Sequence, residues 1–123
     1  SYTTCNGIPI EKFIQGEKLT AIENRVRNSG GEVVALLKTG SAFYSPAASA
    51  IVMAEAYLYD QKKVLAASVY CNGEYGVKGF YLGVPVVMGG NGVERIIEID
   101  LTDDEKKQLA NSAEAVKSII NIL

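Results

Sequence analysis

The sequence predicts an α+β fold, in which helices and an antiparallel sheet come from separate stretches of the chain. Apolar residues recur at helical spacing before about residue 60. β-Branched and aromatic residues then dominate from Val64 to about residue 100, and a helical pattern returns at the end. The length of 123 residues suits a single domain, residues 1–123, with one hydrophobic core.

After a short extended start, the first predicted helical region covers about residues 17 to 38. Leu19, Ile22 and Val26 recur at helical spacing, and aliphatic residues resume the pattern further along. Between them the segment NSGG, residues 28–31, interrupts the pattern with two glycines. We therefore expect either one bent helix or two short abutting helices in this region.

A second helix is predicted behind the turn TGSAFYSP, residues 39–46. Pro46 fits the first turn of a helix, where its missing N–H has no intrahelical partner to lose. The apolar stripe that follows has spacings of three and four residues and comprises Ala47, Ala50, Ile51, Ala54 and Leu58. Because small residues let neighbouring elements approach closely, we expect this helix to be buried on several sides and to end near residues 60–63.

Three β-like runs follow this helix: VLAASVYC, GFYLGVPVVM and ERIIEID. Asn-Gly pairs at 72–73 and 91–92 lie between the runs and tolerate the positive φ angles of tight turns. This pattern predicts an antiparallel meander of three or four strands. The segment GGNG, residues 89–92, joins two strands and not a strand to a helix, so a hairpin turn is favoured over a phosphate-binding loop.

The last helix is predicted to begin at Thr102. Thr102 and Glu105 have the spacing of a capping box, and Asp103 and Asp104 complement the positive end of the helix dipole. Capping therefore explains this acidic cluster better than metal binding does. The buried face of the helix is expected to comprise Leu109, Ala113, Val116, Ile120 and Leu123.

Composition and charge exclude several classes of protein. The formal net charge is −2 with a pI of about 5.1, and basic residues never cluster, so nucleic acid is not an expected partner. No stretch approaches the roughly 20 apolar residues of a membrane span, and no secretion signal is recognisable, so the cytoplasm is the expected location. Cys5 and Cys71 match no metal or redox spacing, so two free thiols are expected.

The sequence contains no histidine, which removes the usual general base and the commonest metal ligand. It also lacks the Gly-rich dinucleotide-binding motif and the P-loop, and no metal site is expected. The remaining candidate site is the turn at Gly40, Ser41 and Ala42, because a helix start offers backbone N–H groups to an anion or cofactor. A plain connection between two helices explains the same residues.

Three long segments in order resemble the C-terminal half of bacterial NAD-dependent L-malate dehydrogenases of the lactate-dehydrogenase-like type: LLKTGSAFYSPAASAI, YGVKGFYLGVPVV and NGVERIIEIDLTDDEKKQLANSAEAVK. The similarity runs from SYTTCNGIPI to the last helix. It implies the C-terminal-domain fold of the lactate/malate dehydrogenase family, an antiparallel meander packed with long helices. It also implies a parent enzyme that reversibly oxidises (S)-malate to oxaloacetate with NAD.

The resemblance implies where the functional residues lie. In that family an N-terminal Rossmann domain holds the cofactor, and the catalytic histidine, aspartate and arginines lie upstream of the segment that resembles SYTT. We therefore expect no catalytic residue in this chain, an absent Rossmann domain and no activity of the chain alone. Ser41 and Ala42 would lie on the substrate side, and Pro46 would lie against the nicotinamide.

Lactate-type relatives commonly have threonine where Ala42 aligns, so a backbone group or Ser41 would have to make that contact. The expected partners are malate or oxaloacetate, the chain's own Rossmann domain and further copies of the chain in a homo-oligomer. The alternative is a stand-alone structural or interaction domain that has this fold and no chemistry.

Overall fold

The structure is a computed structural model that describes residues 2–122. It divides into two compact units, Ser1–Ala47 and Ala48–Leu123. All the buried apolar residues among those described belong to the second unit. The described chain therefore has one hydrophobic core, and the first unit contributes no buried residue to it.

The first unit begins with a small hairpin of β1 (Thr4–Cys5) and β2 (Ile8–Pro9), which pair antiparallel. Asn6 and Gly7 form the turn, with φ angles of 49° and 80°. Positive φ at both central residues is the type I′ geometry that the Asn-Gly sequence favours. A short 3₁₀ helix, Ile10–Lys12, follows the hairpin.

The long helix α1 runs unbroken over Glu17–Leu37. The predicted bounds are confirmed, but two abutting helices do not form, because Gly30 and Gly31 continue the helix. The Arg25 guanidinium spans this glycine pair and donates to both oxygens of the Glu32 carboxylate, at 3.1 and 2.9 Å. Two glycines weaken a helix by about 1 kcal/mol each relative to alanine, which is too little to end one that continues on both sides.

Helix α2 extends over Tyr44–Leu58 and ends slightly earlier than predicted. Its one buried residue is Ala56, while Val52 and Met53 are half-buried. The stripe predicted to be buried is instead exposed: Ala47, Ala50, Ile51, Ala54 and Leu58. At 100° per residue this stripe lies opposite the face with Met53 and Ala56, so the expected burial on several sides is wrong for this chain. Alanines on all sides leave the helix without a dominant apolar face.

The sheet consists of β3 (Lys63–Asn72), β4 (Lys78–Gly89) and β5 (Gly92–Ile96), in that order and antiparallel. The predicted meander is confirmed with three strands. Alternate residues of β3 and β4 face the core, as the two-residue period of a strand requires. The buried side chains of the sheet include Ala67, Val69, Cys71, Phe80, Leu82, Val84 and Val86.

Helix α3 covers Asp103–Ile120, and its predicted capping box is confirmed. The Thr102 N–H donates to Glu105 Oε2 at 2.8 Å, and the Glu105 N–H donates to Thr102 Oγ1 at 3.3 Å. On the predicted buried face, Ala113 is buried, and Leu109 and Val116 pack against the core.

The expected burial of Ile120 is wrong, because 47% of this residue remains exposed. It lies one helical turn beyond Val116, the last residue of this helix that packs against the core. Leu123 lies outside the described residues.

No helix among residues 2–122 is long and apolar enough to cross a membrane. Both cysteines are free thiols, with Cys5 exposed and Cys71 fully buried. Burial raises the pKa of the Cys71 thiol, and the nearby Glu74 carboxylate raises it further.

Candidate functional site

Residues 38–43 connect α1 to α2 and contain the candidate site. The N–H of Lys38 donates to the carbonyl of Val34 at 3.1 Å and so ends α1. Lys38 has a φ of 61° and Gly40 a φ of 92°, so the chain leaves the helix through two left-handed residues. Glycine adopts such a φ without steric cost, whereas a lysine does so rarely. The turn is therefore a locally constrained segment and not a continuation of the helix.

Ser41 and Pro46 are exposed, and Ala42 between them is half-buried. Pro46 is the third residue of α2, which confirms that it lies in the first turn of a helix. The carbonyl of Phe43 accepts the Ala47 N–H at 3.0 Å, so helical hydrogen bonding begins directly after Ala42. The structure thus brings all three predicted site residues to one turn at the start of α2.

The same turn offers hydrogen-bonding groups. The hydroxyl of Ser41 can both donate and accept a hydrogen bond. The N–H groups of Tyr44 and Ser45 lie in the first turn of the helix and have no intrahelical acceptor. No acidic or basic residue lies in this first turn, so the positive end of the helix dipole is not neutralised locally. These groups favour an anionic ligand such as a carboxylate.

An aromatic pair that was not predicted from the sequence lies beside these residues. The rings of Phe43 and Tyr44 stack with centroids 4.7 Å apart and an interplanar angle of 29°. They are 55% and 75% exposed, so the pair presents an apolar surface next to Ser41 and Ala42. Two consecutive aromatic residues between a turn and a helix were the available sequence signal.

Three ionisable groups outside the turn, Arg25, Glu32 and Glu74, have shifted pKa values. Hydrogen bonding to Glu32, with the attraction of its charge, raises the pKa of Arg25. The same contacts lower the pKa of Glu32. The pKa of Glu74 is lowered by its own backbone N–H and that of Asn72. None of these three groups belongs to the turn at residues 38–43.

The GGNG segment forms the predicted hairpin turn between β4 and β5. The N–H of Gly90 donates to Asp60 Oδ1 at 2.5 Å, and Lys62 Nζ lies 2.9 Å from the same oxygen and also contacts Glu94. The Gly90 hydrogen bond, with Lys62, lowers the pKa of Asp60. Glu94 and Asp60 raise the pKa of Lys62. The Gly90 N–H and the Lys62 ammonium therefore already bind carboxylates of this chain, those of Asp60 and Glu94.

Acidic residues do not assemble a metal site in the described part of the chain. Among residues 2–122 there is no group of three or more His, Cys, Asp and Glu residues that could hold a metal ion. The Asp103, Asp104 and Glu105 cluster lies in the first turn of α3, where it serves the helix start.

Comparison with known proteins identifies the family of this chain. The family model of the lactate/malate dehydrogenase, alpha/beta C-terminal domain matches residues 3–122. The malate dehydrogenase of Oceanobacillus iheyensis is 55% identical over 122 residues, and that of Geobacillus kaustophilus is 52% identical over 122 residues. Each match covers 99% of this chain and 39% of the relative. The chain thus spans about two fifths of the length of these relatives.

Solved structures give the same assignment. The lactate dehydrogenase of Eimeria maxima with NADH and oxamate superposes with a TM-score of 0.94 at 46% identity, over 98% of this chain and 39% of that one. The malate dehydrogenase of Salinibacter ruber superposes with a TM-score of 0.93 at 46% identity, with the same coverage of both chains. The chain therefore belongs to the lactate/malate dehydrogenase family and has the fold of its C-terminal domain.

Proposed function

We propose that this chain is the substrate-side, C-terminal part of a malate dehydrogenase that interconverts (S)-malate and oxaloacetate with NAD. The observation that carries the proposal is the identity of 52–55% with malate dehydrogenases over 99% of the chain. Their names favour malate over lactate, although lactate dehydrogenases are also among the structural neighbours. NAD as cofactor is supported by the Eimeria maxima structure, which contains NADH.

Within this proposal the turn at residues 38–43 forms part of the substrate pocket. Ser41 supplies the hydroxyl for a hydrogen bond to a substrate carboxylate, since it is exposed and lies beside the start of α2. Ala42 has no polar side-chain atom, so only its backbone groups can bind the substrate. The two N–H groups at the start of α2 add further attraction for an anion.

The residues present fit one side of a nicotinamide ring. Pro46 is exposed and offers a rigid apolar surface, and the stacked Phe43 and Tyr44 rings extend the apolar area beside it. When bound, NAD accepts or returns the hydride at the substrate carbon. The apolar residues of this chain would exclude water from one side of the reacting atoms and hold the ring in position.

We infer that other parts of the enzyme supply the proton chemistry. Malate oxidation needs a base for the hydroxyl proton, and this sequence contains no histidine. The proposed base, the aspartate that orients it and the arginines that hold the substrate carboxylates belong to regions outside this chain, with a Rossmann domain for NAD. The exposed apolar stripe of α2 supports assembly into a homo-oligomer, because such surfaces mark sites of association.

The test is steady-state kinetics of variants in the intact enzyme that contains this domain. Ser41→Ala should raise the KM for malate by about 10- to 150-fold, because a hydrogen bond to a charged group contributes about 1.5–3 kcal/mol. Pro46→Gly should lower kcat and raise the KM for NAD by loosening the wall beside the ring. Ser112→Ala is the matched control, since this exposed α3 serine donates to the Gln108 carbonyl of its own helix. Wild-type constants for both turn variants would show that the turn is only a connector.

A further inference from the structure

Three Asn-Gly pairs occur in turns of this chain: Asn6–Gly7, Asn72–Gly73 and Asn91–Gly92. All three asparagines are exposed. In such a pair the backbone nitrogen of the glycine can attack the side-chain amide carbon of the asparagine, because no side chain on the glycine hinders the approach. The three pairs are chemically equivalent in sequence, so differences between them must come from the fold.

The fold restrains two of the three glycine nitrogens. The N–H of Gly73 donates to the carbonyl of Val77 at 2.8 Å, which occupies the attacking group. Gly92 is half-buried and pairs with Gly89 in the β4–β5 ladder. Attack at either position requires the loss of these native interactions.

The first pair lacks such restraint. Within residues 2–122, the Gly7 N–H makes no hydrogen bond, and Gly7 is exposed. An added Cβ would meet no heavy atom within 4 Å at Gly7, Gly73 or Gly92, so open space is common to the three turns and the free Gly7 N–H is what distinguishes the first. The hairpin that contains Gly7 has two residues in each strand, so it can open locally at a low cost in free energy.

We propose that Asn6 is a site of spontaneous deamidation, with water and hydroxide as the only reagents. Hydroxide removes the Gly7 N–H proton, and the nitrogen attacks Asn6 Cγ. A new C–N bond closes a five-membered succinimide as the side-chain nitrogen leaves as ammonia. Water then adds to one of the two ring carbonyls and breaks one ring C–N bond. The net reaction exchanges the amide for a carboxylate with no change in oxidation state.

The two products differ in their effect on the hairpin. Ordinary aspartate keeps the backbone length and tolerates the φ of 49° that Asn6 adopts. Isoaspartate routes the backbone through the side-chain carbon and adds one backbone atom to the two-residue turn. The isoaspartate product therefore disrupts the pairing of Cys5 with Ile8. Either product adds one negative charge to the chain.

The experiment compares all three sites within the same molecule. The chain is incubated in mildly alkaline buffer made with oxygen-isotope-labelled water, once folded and once in denaturant, and then digested for mass spectrometry. Label in the new carboxylate marks reaction during the incubation. In denaturant the three sites should react at similar rates. In the folded chain Asn6 should keep its denatured rate, whereas Asn72 should slow by about fivefold or more, the factor for a hydrogen bond of about 1 kcal/mol.

Two further measurements sharpen this test. Asn6→Gln should abolish labelling at this position, because attack on the longer side chain would have to close a six-membered ring. The variant should leave the rates at Asn72 and Asn91 unchanged. If the folded chain is labelled at Asn6 no faster than at Asn72, or if folding slows Asn6 as much as the other two sites, the proposal is wrong.

Discussion

Replacing Gly30 by alanine tests the unbroken course of α1, where the sequence pattern had indicated a break. Gly30 lies in the interior of the helix without a positive φ, and no heavy atom outside the surrounding helix lies within 4 Å of the position of an added Cβ. An alanine therefore fits without strain. Because alanine is favoured over glycine in a helix interior by about 0.8–1.0 kcal/mol, Gly30→Ala should raise the free energy of unfolding by about that amount.

Denaturant unfolding followed by far-ultraviolet circular dichroism measures this effect. Gly40→Ala is the matched control, because Gly40 has a φ of 92° and equally open surroundings. There the left-handed backbone should make alanine destabilising by about 1–2 kcal/mol. A loss of helical signal or of stability in Gly30→Ala would mean that the chain needs a break at this glycine, and the continuous helix would be refuted.

Three further predictions concern the second unit. Thr102→Ala should lower the free energy of unfolding by about 0.5–2 kcal/mol through loss of the N-cap acceptor, whereas Thr102→Ser should retain most of the parent's stability. Equal denaturation midpoints for the parent and both variants would show that the cap does not stabilise the chain. Ala56→Leu should lower the free energy of unfolding by about 1–3 kcal/mol because Ala56 is fully buried, whereas Ala54→Leu, at an exposed position, should change it by less than about 0.5 kcal/mol. The reverse order of effects in denaturant unfolding would contradict the observed buried face of α2. The lowered pKa of Asp60 means that its ionised form stabilises the folded state above its ordinary pKa of 3.8, and that this contribution is lost as pH falls through the lowered value. Asp60→Asn should therefore be less stable than the parent at neutral pH and equal to it in strong acid, and a difference independent of pH would exclude this linkage.

The elements with local signals were predictable from sequence. The capping box at Thr102 and the turn that ends in Asn91–Gly92 depend on interactions between residues close in the chain. The alternation along β3 follows from the period of a strand, so its buried residues could be anticipated with the meander.

The errors arose where distant interactions decide the outcome. In α2 alanines occupy several faces, so the core against which Met53 packs determines the orientation of the helix, and periodicity could not identify the buried face. In α1 two glycines reduce helix propensity but do not terminate the helix. The turn at Ser41 was a candidate from its place before a helix, but only the family resemblance favoured a site over a plain connection, because a hydroxyl before a helix is common in ordinary connections. The exposure of the neighbouring Phe43–Tyr44 pair appears only in the folded chain.

The most direct test of the account is malate-dependent formation of NADH by this chain, purified from a host that lacks its own malate dehydrogenase. The chain is assayed alone and after addition of the dinucleotide-binding half of the enzyme. We predict no turnover by the chain alone, because it has no histidine to act as the base and the proposed function assigns it only one side of the nicotinamide site. Activity should appear once the second half is added. Malate-dependent turnover by the 123 residues alone, or no turnover when both folded halves form a complex, would contradict the account.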